Sequence, residues 1–292
     1  MVRRSGPAEC GIEPRHNEPA SDSKLDIWWD VAAAVLLVST AIVVLAVPVF
    51  PSQDGPVHLY YAGVLRGLLT HSGPYPQYFA IKTLFTPYAL EYAVLLALET
   101  LFSPPMSEKV LLCGYIFAFG AAFRYLVGAV GDRRSPWSLA AIPFCLNLLV
   151  YLGFLNYCFG VVLLLFLSGY YIRHADRLAA RSVSVLLGGL ILMLLTHPLC
   201  PAVFLLFLGL HLTSALVHDA IQSRAWRVSL LARRRQMLLV ASMAVIALAW
   251  IAPFRDRSPH PPSLPPYFQT LGWIGAIVAQ LELRPAMPFT AF

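Results

Sequence analysis

The stretch PSQDGPVHLYYAGVLR, Pro51 to Arg66, decides how the rest of the chain is read. It follows the first apolar run directly, and in it an acid, an imidazole and a guanidinium fall together beside a candidate membrane span. Gly55 and Pro56 come straight after Asp54, so the chain turns sharply and enters a helix with proline near its first position. Asp54, His58, Ala62 and Arg66 then recur every fourth residue along one stripe, while Val57, Tyr60, Tyr61, Val64, Leu65 and Leu68 form an apolar face. The pattern predicts a short amphipathic helix lying flat at a bilayer surface, its polar edge turned from the lipid.

Working outward, the first apolar run covers Ile27 to Val49, with Trp28 and Trp29 at its entry and Pro48 and Pro51 at its exit. At about 1.5 Å per residue it is long enough for a hydrocarbon core of about 30 Å. The segment before it, residues 1 to 26, is polar and mixed in charge and is expected to be a disordered tail. No small-residue cleavage pattern follows the run, so it is expected to be an uncleaved anchor.

Composition agrees with this reading. Of 292 residues, 58% are hydrophobic and 12% charged, with a mean hydropathy of +0.68; soluble domains carry about 25% charged residues. The chain is expected to be all-α, a polytopic transmembrane helical bundle. The formal charge of +6 is concentrated in short loops between apolar runs, a topology signal and no footprint of nucleic-acid binding. The five cysteines show neither metal-ligand spacing nor a disulfide framework, and read as small hydrophobes.

About eight candidate spans follow from the apolar runs: 27–49, 84–102, 110–130, 137–152, 156–172, 183–195, 199–217 and 237–252. Residues 51–83 form a loop with the surface helix, and 253–292 a proline-rich loop with a weak apolar stretch near Trp273. The parity does not close. If all eight cross from a cytoplasmic N-terminus, the basic loops at Arg133, Arg173 and Arg224 share the outer side with Asp54, against the positive-inside tendency. Three ways out remain: 84–102 does not fully cross, the first span is inserted the other way, or the charge rule fails. Glu91 and Glu99 favour the first, because an ionised group at mid-membrane costs a few kcal/mol on insertion scales.

Each polar candidate carries two readings. Asp54 is a helix cap or a proton acceptor one turn from His58; His58 is a reactive imidazole or a headgroup-facing one. Arg66 is a phosphate ligand or an interfacial anchor. Glu91 and Glu99 are functional acids or partners of basic neighbours such as Lys82 and Arg124. Asn156, in GFLNYCFG, is a helix-packing hydrogen bonder or a substrate contact, and His197, before Pro198, a cap or a ligand.

The chain resembles the GT-C superfamily of membrane glycosyltransferases, which draw sugars from polyprenyl-phosphate carriers. The likeness rests on QDGPVHLYYAGVL (Gln53 to Leu65), SEKVLLCGYIFAF (Ser107 to Phe119), GFLNYCFGVVL (Gly153 to Leu163) and LLTHP (Leu194 to Pro198), which are similar to stretches in a poorly described bacterial branch. The Asp54 stretch is the specific part; the others are largely apolar patterns.

The resemblance implies a multi-pass protein of the bacterial inner membrane moving a sugar from a polyprenyl-phosphate donor to an extracytoplasmic glycan or lipid acceptor. Asp54 would be the general base, with Glu91 a weaker match to the assisting acid. His58, Arg66, Lys82, Asn156 and His197 would be substrate-binding. The acid stands single, without the paired carboxylates of a metal site, so no metal or other cofactor is expected. The chain is shorter than superfamily members generally are, as expected of a truncated or minimal relative. The alternative readings are a transporter or flippase for a lipid-linked substrate, against which no internal repeat is visible, and a non-catalytic membrane subunit.

Overall fold

A computed structural model describes residues 23–81, 83–131, 136–255 and 281–283. The expectations for residues 1–22, for Lys82, for most of the GDRRSP loop and for the stretch around Trp273 lie outside the described residues.

The first helix, α1 (Ser23–Ala46), begins four residues before Ile27 and ends just before Pro48. After the turn at Asp54 comes α2 (Gly55–Leu69), with proline in its first turn. A single turn, α3 (Tyr75–Tyr78), leads into β1 (Phe79–Ile81), which pairs antiparallel with β2 (Leu281–Leu283), Ala80 opposite Glu282. Helix α4 (Ala89–Glu99) has only 11 residues and starts after Tyr88, whose φ of 72° is left-handed. Two prolines then open α5 (Pro104–Val130).

The next apolar run is not one helix. It breaks into a 3-10 segment (Pro136–Ala141), α6 (Ile142–Cys145) and α7 (Leu148–Leu152), because Pro143 lacks an amide hydrogen and Asn147 caps a new helix, accepting from the Leu149 and Val150 amides. Gly153, at φ 86°, ends α7, and α8 (Leu155–His174) follows at once. Helices α9 (Ala180–Thr196) and α10 (Leu199–Ser223) meet at His197 and Pro198. A short α11 (Trp226–Ala232) leads into α12 (Arg234–Arg255).

Among the described residues, five helical segments are long and apolar enough to cross a membrane: Trp28–Ala46, Pro104–Val130, Leu155–Arg177, Leu199–Ser223 and Arg234–Pro253. Leu139–Leu152 and Ala180–Thr196 are shorter apolar stretches. Large side chains such as Val35, Ile42, Val43, Leu206, Leu210, Val245 and Leu248 stand exposed on the long helices. Apolar surface on that scale suits lipid contact.

The contacts define two poles. Asp30, early in α1, pairs with Arg124 late in α5, whereas Lys109 early in α5 bonds the carbonyls of Leu45 and Val47 at the end of α1. The two helices are therefore antiparallel. At the pole where α1 ends, the Tyr88 amide bonds Thr196 O at the end of α9, and Ser52 bonds Glu108 at the start of α5. Helix α4 thus begins at this pole, and α5 departs from it. The expected span 84–102 supplies only an 11-residue helix, about 16 Å long, with Glu91 and Glu99 buried in protein, and is not among the segments long and apolar enough to cross. The loops carrying Arg173 and Arg224 fall at the other pole with the start of α1, and where eight spans were expected, five helices among the described residues have the length and apolarity to cross.

The expected surface helix is a helix, but its faces are turned differently. Ala62, Val64, Leu65 and Leu68 are buried, while Val57 and Tyr60 are exposed. Helix α2 packs on α4, which draws the His58 and Ala62 stripe inward. One core cluster, including Phe50, Leu65, Tyr92, Leu112 and Leu155, supports this pole. A second, including Leu167, Leu186, Phe204 and Met243, joins α8, α9, α10 and α12. Cys145, Cys158 and Cys200 are buried free thiols within these cores.

Candidate functional site

The site is assembled on the loop between α1 and α2. The Gln53 amide donates to Tyr151 O at 2.8 Å and the Asp54 amide to Leu152 O at 3.2 Å, which ties the loop to the last turn of α7. Gly153 makes this possible: a Cβ there would lie 2.8 Å from the Gly55 nitrogen and 2.9 Å from that of Asp54. Gly55 is equally constrained, because a side chain on it would collide with Ser52 Oγ and the Glu108 carboxylate, which hydrogen-bond each other.

Asp54 occupies the N-cap position of α2, yet its side chain makes no cap hydrogen bond. Its backbone carbonyl accepts from Val57 and His58 instead, at 3.0 and 3.1 Å. The carboxylate is half-buried and free of ion pairs among the described residues. Capping therefore does not account for it.

His58, one turn on, turns inward and places Nδ1 3.0 Å from the Tyr92 hydroxyl of α4. Burial lowers its basicity, and the Asp54 charge opposes that shift in part. The imidazole is therefore neutral at physiological pH, and Tyr92, itself buried, keeps its phenol proton.

Glu91 sits behind this pair, wholly buried, and neither carboxylate oxygen has a hydrogen-bond partner at normal distance. Burial pushes its pKa up to about 8, the nearby Glu108 charge adds to this, and the Asn156 backbone amide works the other way. That amide belongs to the first turn of α8, whose positive dipole end partly compensates the acid. Glu91 is accordingly a mostly neutral acid at pH 7, in a setting where no basic side chain pairs with it among the described residues.

The structure separates the sequence-predicted residues into two groups. Asp54, His58, Glu91 and Asn156 come together at one pole. Arg66 lies two turns further along α2, where its guanidinium bonds Glu99 O at 3.3 Å and lies 3.8 Å from the Glu99 carboxylate. Lys82 is outside the described residues, and Arg124 pairs with Asp30, so neither acid of α4 has Arg124 as its partner. His197 is edge-on to Tyr88 and Tyr157, and its Nδ1 accepts from the Leu199 amide at 3.2 Å. It caps α10 as a neutral ring, its pKa lowered to about 4 by burial. Asn156 keeps its side-chain oxygen on the Tyr157 amide, and its own backbone amide lies near Glu91 without a hydrogen bond of normal length.

Sequence reasoning did not single out Ser52, Tyr92 or Glu108. Glu108 is masked by its place near the start of a helix, where acids are common for dipole reasons alone. Tyr92 reads as one more apolar-face aromatic. Among the described residues no cluster of three or more His, Cys, Asp or Glu side chains is placed to hold a metal ion.

The comparisons add no identity to this geometry: no protein-family model, no curated protein and no solved structure matches the chain.

Proposed function

We propose that the chain is a polytopic membrane glycosyltransferase of the GT-C type, with Asp54 as general base. The observation that carries the reading is the Asp54 carboxylate, which is uncapped, half-buried and clamped by backbone at the pole opposite the Arg-rich loops. With those loops cytoplasmic, the site faces the extracytoplasmic side, where a lipid-linked donor and a soluble or lipid acceptor meet.

In the proposed step the acceptor oxygen bonds to the anomeric carbon as its proton passes to Asp54. The bond from that carbon to the phosphate oxygen breaks, and the electron pair leaves on the polyprenyl phosphate. Neutral His58, held by Tyr92, orients the acceptor hydroxyl. Glu91 remains uncharged behind the base, so it sets no second carboxylate charge against Asp54. Arg66, half-exposed, supplies a cation for the donor phosphate.

The test is transfer from polyprenyl-phosphate hexose and pentose donors by the purified protein in detergent. Asp54→Asn should fall by at least about 100-fold in rate, the range of general-base effects, while its thermal unfolding stays close to wild type. Full transfer by the Asn protein would refute the assignment. A second reading is favoured by the buried titratable Glu91: a proton-coupled carrier of a lipid-linked headgroup. It predicts pH-driven movement of labelled lipid in vesicles without any glycosyl transfer.

A further inference from the structure

The pole opposite Asp54 contains a cavity of about 500 Å³, bounded by the segment after α8, the end of α10 and the α11 to α12 junction. That size suits a small ligand or a lipid headgroup. Six of its polar side chains set its chemistry: Asp176, Arg177, Asp219, Arg233, Arg235 and Gln236.

Arg233 is the fixed element. Its Nε and Nη2 donate to the two Asp219 oxygens at 2.7 and 3.3 Å, and Nη1 donates to Asp176 Oδ1 at 3.2 Å. Both acids of the cavity are thereby committed to one guanidinium. Arg177 and Arg235 make no ion pair among the described residues, and with three arginines against two aspartates the cavity wall carries a net positive charge. Guanidinium forks match phosphate oxygens in geometry as well as charge.

Gln236 adds a further requirement. It is buried, and its Nε2 donates to Ala175 O at 2.6 Å, which fixes the amide orientation. Its Oε1 is then left without a donor, an arrangement that costs free energy until a hydroxyl or N–H arrives. A bare phosphate offers mainly acceptors. A phosphate bearing a polyol offers acceptors to the arginines and a hydroxyl to the amide oxygen.

We propose that this cavity binds a phosphorylated polyol, of the phosphoglycerol class, through Arg177 and Arg235 with Gln236 reading a hydroxyl. The chemistry is shared by an anionic lipid headgroup and by free glycerol phosphate. The site is about 30 Å from Asp54 along α8, from Asn156 to Ala175, and does not depend on the sugar-transfer reading.

The test uses the full chain in neutral detergent, titrated with dioctanoyl phosphatidylglycerol, dioctanoyl phosphatidylcholine and sn-glycerol 3-phosphate. Saturable binding of phosphatidylglycerol over phosphatidylcholine is expected, with Kd raised at least about tenfold in Arg177→Gln/Arg235→Gln. Arg224→Gln/Arg227→Gln, basic positions outside the cavity lining, should bind as wild type. Binding of glycerol 3-phosphate identifies a soluble ligand, and binding of the lipid alone identifies a headgroup; either supports the site. Should the double variant misfold, each single Gln variant is expected to weaken binding about threefold. Equal loss in the control variant, or no saturable binding of either phosphate, overturns the proposal.

Discussion

Gly153 and Asp54 meet backbone to backbone. With Gly153 at φ 86°, a Cβ on it would stand 3.0 Å from the Asp54 Cβ and 2.9 Å from its nitrogen. The loop after α1 is therefore seated on the end of α7, and the acid is aimed by a contact that only glycine permits.

Gly153→Ala should lose about 1–3 kcal/mol from left-handed strain and displacement of the loop. A fall of roughly 5 °C in the unfolding midpoint in detergent is expected, with transfer activity reduced further than stability alone explains. Gly63→Ala, where nothing lies within 4 Å of the new Cβ, is the matched control and should be neutral or slightly stabilising.

Glu91 gives a pH signature. Its folded pKa is raised to about 8, so below about pH 4 both folded and unfolded forms are protonated and nothing is lost. As pH rises toward 8 the unfolded chain ionises first, and the folded state is progressively disfavoured by a few kcal/mol. Glu91→Gln removes the titration, so its unfolding midpoint should match wild type at pH 4 and exceed it at pH 8.5. An identical gap at both pH values would mean that the acid is not buried as described.

Lys109 holds the end of α1 by donating to Leu45 O at 3.2 Å and Val47 O at 2.9 Å. Lys109→Met keeps the stem but abandons two carbonyls, at about 2–3 kcal/mol. Hydrogen exchange over residues 45–54 should quicken, because that segment leads directly into the Asp54 loop.

Labelling tests the expectation that α4, at 11 residues, does not cross. In a Cys10→Ser background, Ser72→Cys and Ser103→Cys should react with a membrane-impermeant maleimide from the same side, and Ser223→Cys only from the other. Opposite sidedness of Ser72→Cys and Ser103→Cys would restore 84–102 as a crossing span.

Much of the fold was legible before any contact was known. Apolar run length and the Gly and Pro punctuation placed α1, α5, α8, α10 and α12, because lipid leaves an isolated segment little choice but a helix. The agreement of the basic loops marked one pole. The Asp54 turn was legible for the same local reason, since Gly55 and Pro56 act on their own neighbours.

Hydropathy alone did not separate α4 from a true span, because an apolar stretch of 19 residues scores alike whether it crosses lipid or is folded against protein. Only packing decided that Glu91 lies in a protein interior beside α8, that His58 faces Tyr92, and that Glu108 reaches Ser52. Those relations join positions 34 to 65 residues apart in the chain, where no local periodicity acts. Sequence by itself determined that these are membrane helices with an acid at a turn. Tertiary structure decided which groups that acid meets, because burial and partnership are properties of the assembled bundle.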